Sequence, residues 1–320
     1  MTDHDPHDPH DAQDPEDGER WISALGLERD AGGGYVRAYP GPAVAAAPRH
    51  TLRYVLLTSD SPRRAGPASD RLYFHHAGGS LRCDGGSHRS RAPLLGPPDR
   101  FQVGLGAGQE LALADGRWAL ISETDMPDPV TAVMAGERWS PATGEPAAAL
   151  GPGAALVAQL GLAPHVEGGY FRELWAAPGR VVTAGGPRPR GSTIYYLLTP
   201  EAPLGRFHRN CSDITHLLHR GGPIVYQLIA PDGEWRQVVL GRDLAAGQTL
   251  SFNCPGGWWK SSHLPAGARA GLISELVMPG FDYADHEIAD DALFERLFPR
   301  LRDRWCGRVR GNDGPHRADV

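Results

Sequence analysis

Residues 160–174, LGLAPHVEGGYFREL, echo residues 25–39, LGLERDAGGGYVRAY, at a distance of 135 positions. The echo is not isolated. RYVLLTSD (53–60) returns as YYLLTPEA (195–202), SDRLYFHHAGGSL (69–81) as SDITHLLHRGGPI (212–224), GAGQEL (106–111) as AAGQTL (245–250), and LISETDMP (120–127) as LISELVMP (272–279). Five matches in one order make the chain two copies of one fold. We place the copies at residues 21–138 and 156–300. Between them, WSPATGEPAAALGPGAA (139–155) has the Pro, Gly and Ala content of a linker. Residues 1–20 are acidic and rich in proline and histidine and read as a disordered tail; residues 301–320 read as a second tail.

Each copy opens on a short helix that ends at a glycine (WISALGLERDAGG, LVAQLGLAPHVEGG). Runs with alternating or β-branched character follow, among them RHTLRYVLLT, RGSTIYYLLT, GPIVYQLIA, EWRQVVLG and RAGLISELVM. Gly, Pro and Asp turns punctuate them every ~8–12 residues, the spacing of an all-β sandwich or barrel. DDALFERLFPRL, near the end, carries apolar residues at helical spacing and predicts a terminal helix. The fold class is all-β, made twice.

With 41% hydrophobic and 22% charged residues, the 320-residue chain has the composition of a soluble globular protein. A net charge of −6 gives no footprint for nucleic acid. No apolar run approaches the ~20 residues of a membrane span, and the acidic start lacks the apolar segment of a signal peptide. Cys83, Cys211, Cys254 and Cys306 form no C-x-x-C pair, which fits a reducing cytoplasm and neither a zinc ribbon nor a disulfide framework. Cys211 and Cys254 read as small buried hydrophobes. The expected partner is a small molecule, with no nucleic acid and no membrane.

NCPGGWWKSSH (253–263) holds the only lysine of the chain. Arginine can replace a surface lysine, but not a compact ammonium aimed into a pocket. Strand alternation puts Lys260 and Trp258 on one face and Trp259 on the other.

Together HVEGGYFREL, STIYYLLT, RFHRNCSD, PGGWWK and MPGFDYADHEI resemble the Cupin-5-type branch of the cupin superfamily, well over about residues 156–290 and weakly over about 21–127. The resemblance implies two RmlC-like jelly-roll (double-stranded β-helix) barrels with a few short helices. Such barrels dimerise, so a tandem bicupin is expected to form a pseudo-dimer within one chain, with a homodimer of chains a further expectation. Metal-binding cupins follow G-x5-H-x-H-x4-E-x6-G and then P-x-G-x2-H. Against that pattern His208 takes the place of the second histidine, Asp213 of the glutamate, Arg206 of the first histidine and Lys260 of the third. Two imidazoles become cations, so the expectation is no metal, no other cofactor, and attraction for an anion. The first copy is poorer still: Asp70 aligns with Asp213, but nothing aligns with His208 or supplies a lysine. It reads as a degenerate scaffold.

The catalytic candidates are His208, Asp213 and Lys260. An imidazole with a pKa near ~6.5 suits proton transfer; Asp213 would orient it or take a proton, and Lys260 would stabilise developing negative charge. Arg206 would clamp a carboxylate or phosphate, with Tyr196, Tyr226, Trp258, Glu275, His165 and Glu167 binding substrate. Plain alternatives stand beside these: Asp213 bridging to Arg206 or Lys260, the tyrosines packing, Glu275 neutralising Lys260 or facing the other copy. Arg172 recurs as Arg37 and reads as structural. Three functions fit. The first is a metal-independent acid–base enzyme (epimerase, isomerase, dehydratase or cyclase) acting on a small carbonyl- or carboxylate-bearing metabolite, in a setting of specialised biosynthesis. The second is a noncatalytic barrel binding a small anion or sugar. The third, a metal-dependent dioxygenase, is opposed by Arg206 and Lys260.

Overall fold

The computed structural model describes residues 15–39, 50–64, 70–84, 94–96, 100–126 and 152–310. The first 14 residues, residues 127–151 of the linker region and the last ten residues lie outside that set. Each copy builds a six-stranded sheet in the same order. In the first it runs Glu28–Arg29, Tyr35–Ala38, Arg53–Thr58, Trp118–Asp125, Arg71–Gly78, Gln102–Leu105. In the second it runs Ala163–Pro164, Tyr170–Ala176, Ser192–Leu198, Gly271–Met278, Asp213–Gly221, Ser251–Cys254. The partner sheet has four strands in the first copy: Arg63–Arg64, Glu110–Leu113, Leu81–Asp84 and Leu94–Leu95. It has five in the second: Trp235–Leu240, Ile224–Ile229, Trp259–His263, Leu204–Asn210 and His286–Ile288. The ladders are antiparallel, and apolar side chains such as Val55, Val103 and Ile121 fill the first barrel. This is the expected pair of jelly rolls.

Four boundaries differ from the sequence reading. The first helix spans Pro15–Leu25 rather than starting at Trp21; proline at the first helical position loses no hydrogen bond there. Residues 301–310 are no tail. Trp305 and Val309 are buried with Phe207, Trp259 and Phe294, the last from the terminal helix Asp291–Leu297. This cap explains why Trp259 points away from the barrel interior. Cys211 is exposed, because it lies in the turn just before the strand Asp213–Gly221, whereas Cys254 is buried. Finally, GAGQEL and AAGQTL are not counterparts: the first follows the edge strand Gln102–Leu105, the second precedes its equivalent Ser251–Cys254. The true counterpart of the GAGQEL turn is CPGG, since Asp70 Oδ1 accepts from Ala107 N (3.0 Å) as Asp213 Oδ1 accepts from Gly256 N (2.9 Å).

The two barrels join through equivalent residues. In Arg71–Gly78 the register against Trp118–Asp125 skips His76; in Asp213–Gly221 the register against Gly271–Met278 skips His219. A bulge re-aims the residue it leaves unpaired. Here it sends each imidazole toward the other barrel: His76 Nδ1 bonds Leu218 O, and His219 Nδ1 bonds His75 O (2.6 Å). Each ring also meets a serine of its own barrel, Ser122 at 2.7 Å and Ser274 at 2.8 Å. Tyr195 Oη accepts from Phe101 N (2.8 Å), and Gln102 Nε2 donates to Thr193 Oγ1 (2.6 Å). The two barrels of the chain therefore meet through matched residues.

Candidate functional site

The helix and glycine turn that open the second copy set the geometry. Arg172 Nη1 donates to Leu160 O at the helix end (3.0 Å), as Arg37 does to Leu25 O (2.7 Å), so this arginine is structural in both copies. Gly168 has φ +106°, and a Cβ there would lie 2.0 Å from Leu204 O. Only glycine lets the segment press onto the strand Leu204–Asn210. That close approach swings Glu167 under the barrel mouth.

Glu167 is the hub. Its Oε1 lies 2.6 Å from His286 Nε2, and its Oε2 lies 3.2 Å from His208 Nε2 and 3.5 Å from His165 Nδ1. Burial alone would raise its carboxyl, but His208, His286, His165 and Lys260 outweigh it and hold the group at about 2. His165 Nδ1 accepts the Glu167 main-chain N–H (3.3 Å). A backbone N–H can only donate, so the neutral ring carries its proton on Nε2.

Lys260 is 2% exposed, and its Nζ contacts His208 Nε2, its cross-strand partner. His208 Nδ1 bonds Arg206 O (2.8 Å), which leaves the Nε2 lone pair for the ammonium. Burial and Lys260 push this imidazole down to about 3, against the pull of Glu167. Glu275 Oε1 lies 3.7 Å from Lys260 Nζ and 3.2 Å from His216 Nε2. Burial would raise its carboxyl, yet Lys260 and His216 hold it well below the usual range. Lys260 thus lies inside the barrel, and of the two plain readings of Glu275 the structure has it beside Lys260.

A small, partly open cleft adjoins this cluster. Glu167, Glu275, His165, Tyr196 and Asn210 are among its lining residues, with Phe171 and Phe281 on its apolar side. Tyr196 Oη donates to Gly168 O (2.9 Å). Tyr226 lies deeper, against His216 and Phe252 at 4.8 Å each, its buried hydroxyl without a partner; burial and the carboxylates raise it well above the usual phenol range.

Three expected assignments change. Asp213 does not orient His208: it caps the turn before Trp258, the task Asp70 performs in the copy without a histidine, and Glu167 is the carboxylate that reaches His208. Trp258 is outside the cleft lining and packs under the Arg236 guanidinium, 5.2 Å from its ring, because it belongs to the turn rather than the strand. Arg206 is also absent from the lining, and carboxylates, not cations, face the cleft. A lining of this sign does not attract an anion. His286 and Asn210 carry the site without having been singled out; MPGFDYADHEI held the signal for the first.

Metal-binding cupins need imidazoles at the positions of Arg206, His208 and Lys260. In this barrel the Lys260 ammonium lies on His208 Nε2, the atom such an ion would use. No group of three or more His, Cys, Asp or Glu side chains among the described residues is arranged to hold a metal. These residues do not fit one.

The first barrel shows what the site becomes when it is filled. Counting from the shared turn, Leu111 stands where Lys260 does, and its partner across the strands, Arg64, stands where His208 does. Arg64 Nη2 donates to Glu123 Oε1 (2.8 Å), the counterpart of Glu275, and Nη1 meets Asp30, the counterpart of His165. A Cβ on Gly32, where the second copy has Glu167, would lie 2.8 Å from Arg64 Nη1. One guanidinium occupies the space.

Residues 154–289 match a family model described as "Cupin superfamily (DUF985)". An uncharacterized protein of Saccharomyces cerevisiae is 38% identical over 145 residues, covering 41% of this chain and 72% of that protein. A hypothetical protein from Leishmania major is similar in structure, with 33% identity, TM-score 0.46, and coverage of 48% of this chain and 96% of that one. Across both copies the chain resembles the oxalate decarboxylase of Lactobacillus farciminis at 12% identity and TM-score 0.50, covering 88% and 91% of the two chains. At that identity the likeness speaks for the shared two-barrel fold alone.

Proposed function

The chain belongs to the cupin superfamily, and on that premise we propose that its second barrel is an acid–base catalyst working without a metal on a small carbonyl-bearing metabolite. The observation that carries this reading is Glu167: a carboxylate at the cleft with one oxygen held by His286 and the other beside the buried His208–Lys260 pair. Glu167 takes the proton from the carbon beside the carbonyl. The electron pair moves onto the carbonyl oxygen, where the neutral His165 Nε2–H donates a hydrogen bond. Reprotonation from the opposite face gives epimerisation. Where the deprotonated carbon bears a hydroxyl, passage of that hydroxyl's proton to the former carbonyl oxygen and reprotonation at the former carbonyl carbon give isomerisation. Transfer of the proton from Glu167 to a departing β-hydroxyl, released as water, gives dehydration. A carboxylate held near 2 is a weak base. The proton it removes must therefore be an acidic one.

The test is solvent deuterium incorporation, followed by NMR, across a panel of small sugars and hydroxyketones. Glu167→Gln keeps the shape and is expected to lower exchange ~10²–10⁴-fold. Unchanged exchange in that variant removes Glu167 from the chemistry. A noncatalytic sugar-binding barrel is the second reading, supported by the aromatic walls Phe171 and Phe281 beside the carboxylates. Binding without exchange in the parent chain would favour it.

A further inference from the structure

We infer that the cleft takes a metabolite whose far end is a compact hydrocarbon group, held against Ile194, Ile214 and Val277. This deepens the reading above and rests on it in placing the carbonyl end at Glu167 and His165. The two barrels share one register at the mouth. In the first, Glu123 has Arg53 as its cross-strand partner, and Asp125 has Arg71. In the second, Glu275 has Ile194, and Val277 has Ile214. Three charged positions of the first barrel, Arg53, Arg71 and Asp125, are therefore branched hydrocarbons in the second, and all three of these line the cleft.

In the first barrel these positions close the mouth with ions. Arg53 Nη2 donates to Asp125 Oδ2 (2.9 Å), and Arg53 Nε and Arg71 Nη1 donate to Glu123 Oε1 (2.9 and 3.1 Å). In the second no such network spans the mouth among the described residues. Ile214 and Val277 are buried there, and Phe171 and Phe281 stand half-buried beside the same cleft. Phe281 N donates to Ser192 Oγ (2.9 Å), and its ring meets Tyr283 edge to face at 5.0 Å, so the aromatic pair is fixed at the rim. The carboxylates Glu167 and Glu275 are engaged by His286, His216 and Lys260. What the cleft leaves uncovered is mostly apolar. Covering that surface with hydrocarbon is favourable in proportion to the area taken from water. A hydroxylated chain would give up water there for walls that cannot hydrogen-bond. The cleft is small, which limits the group to a few carbons.

The experiment is calorimetric titration of the full chain with hydroxyacetone and the corresponding hydroxymethyl ethyl and hydroxymethyl propyl ketones. Erythrulose serves as the hydroxylated counterpart of the ethyl compound. Affinity is expected to rise about fourfold with each added methylene, and erythrulose to bind about tenfold more weakly than the ethyl ketone. Ile214→Arg combined with Val277→Asp installs the pair that the first barrel carries at this register, and should abolish the rise along the series. Val277→Thr keeps the shape of the side chain and reads the same wall if the charged pair disturbs folding. It should lower the affinity of the propyl ketone about threefold relative to hydroxyacetone. Packing beneath Phe281 alone would give no dependence on chain length. The inference is overturned if affinity stays level or falls along the series, if erythrulose binds as tightly as the ethyl ketone, if none of the four binds at tens of millimolar, or if neither variant alters the dependence on chain length. Failure of deuterium exchange with that dependence intact would sink the catalytic reading and leave this one standing; exchange with a level series would do the reverse.

Discussion

Lys260 and His208 meet as cross-strand partners, ammonium against imidazole, with both side chains buried. Two basic groups tolerate this because the ring is kept neutral: its Nδ1 is committed to Arg206 O, and its Nε2 lone pair faces the ammonium. Glu275 and Glu167 supply the balancing charge. Lys260→Met removes a buried cation from this cluster, and breaking a buried charge pair on one side typically costs ~3–5 kcal/mol. Denaturant unfolding should show a loss of that order. Lys260→Arg should fold but lose exchange activity, since a planar fork cannot occupy the point between His208 and Glu275. Parent-like activity for that variant would mean that charge alone is required.

Acid should loosen the junction of the barrels. Burial pushes His76 down to about 3 and His75 to about 4, so each is neutral in the folded protein and protonated first when unfolded. Between their ordinary value of ~6.5 and these depressed ones, the unfolded state binds more protons, and stability rises with pH. Lowering the pH from 6.5 to 4.5 should reduce unfolding free energy by ~1.4 kcal/mol per pH unit for each such histidine. His76→Gln keeps a donor and an acceptor but does not titrate. Its unfolding curves should depend less steeply on pH than those of the parent; equal slopes would exclude His76 as a contributor.

In the first barrel, Arg64 links Glu123 and Asp30. Arg64→Leu leaves Glu123 to Arg53 and Arg71, at 2.9 and 3.1 Å. We expect a loss of roughly 2 kcal/mol, the scale of charge-assisted hydrogen bonds, with ligand affinity at the second barrel unchanged. A change in affinity beyond twofold would show that the first barrel is more than scaffold.

A fragment of residues 150–320 should self-associate. Removing the first barrel uncovers Leu217 and Leu276, which pack with Leu72 and Phe74, and strips Tyr195 and His219 of their main-chain partners. Sedimentation velocity should report dimers or larger species. A stable monomer would be the contrary result.

The sequence made the fold legible because repetition and strand alternation are local patterns, visible without knowing what touches what. The lone lysine also stood out, in a chain whose other Lys/Arg positions are all arginine. Asp213 was misassigned because spacing along a motif does not say where a carboxylate turns, and here a main-chain N–H of the adjacent turn captures it. Glu167, His208 and His286 lie 119 positions apart from first to last and are joined only by barrel closure. His216 and His219, three positions apart, fall on opposite faces of one strand, the first toward the barrel interior and the second toward the junction.

The paired bulges at His76 and His219 have a kinetic and concentration-related consequence. A dimer of separate barrels falls apart on dilution, and its working fraction follows mass action. Here the same contact is unimolecular, held at the effective concentration of a tether. The second barrel should keep its partner at nanomolar and millimolar chain concentrations alike. Because the first barrel's space is filled by Arg64, each chain should saturate at one equivalent of ligand with a hyperbolic isotherm. One chain thus carries, side by side, two barrels that as separate subunits would have to meet by diffusion.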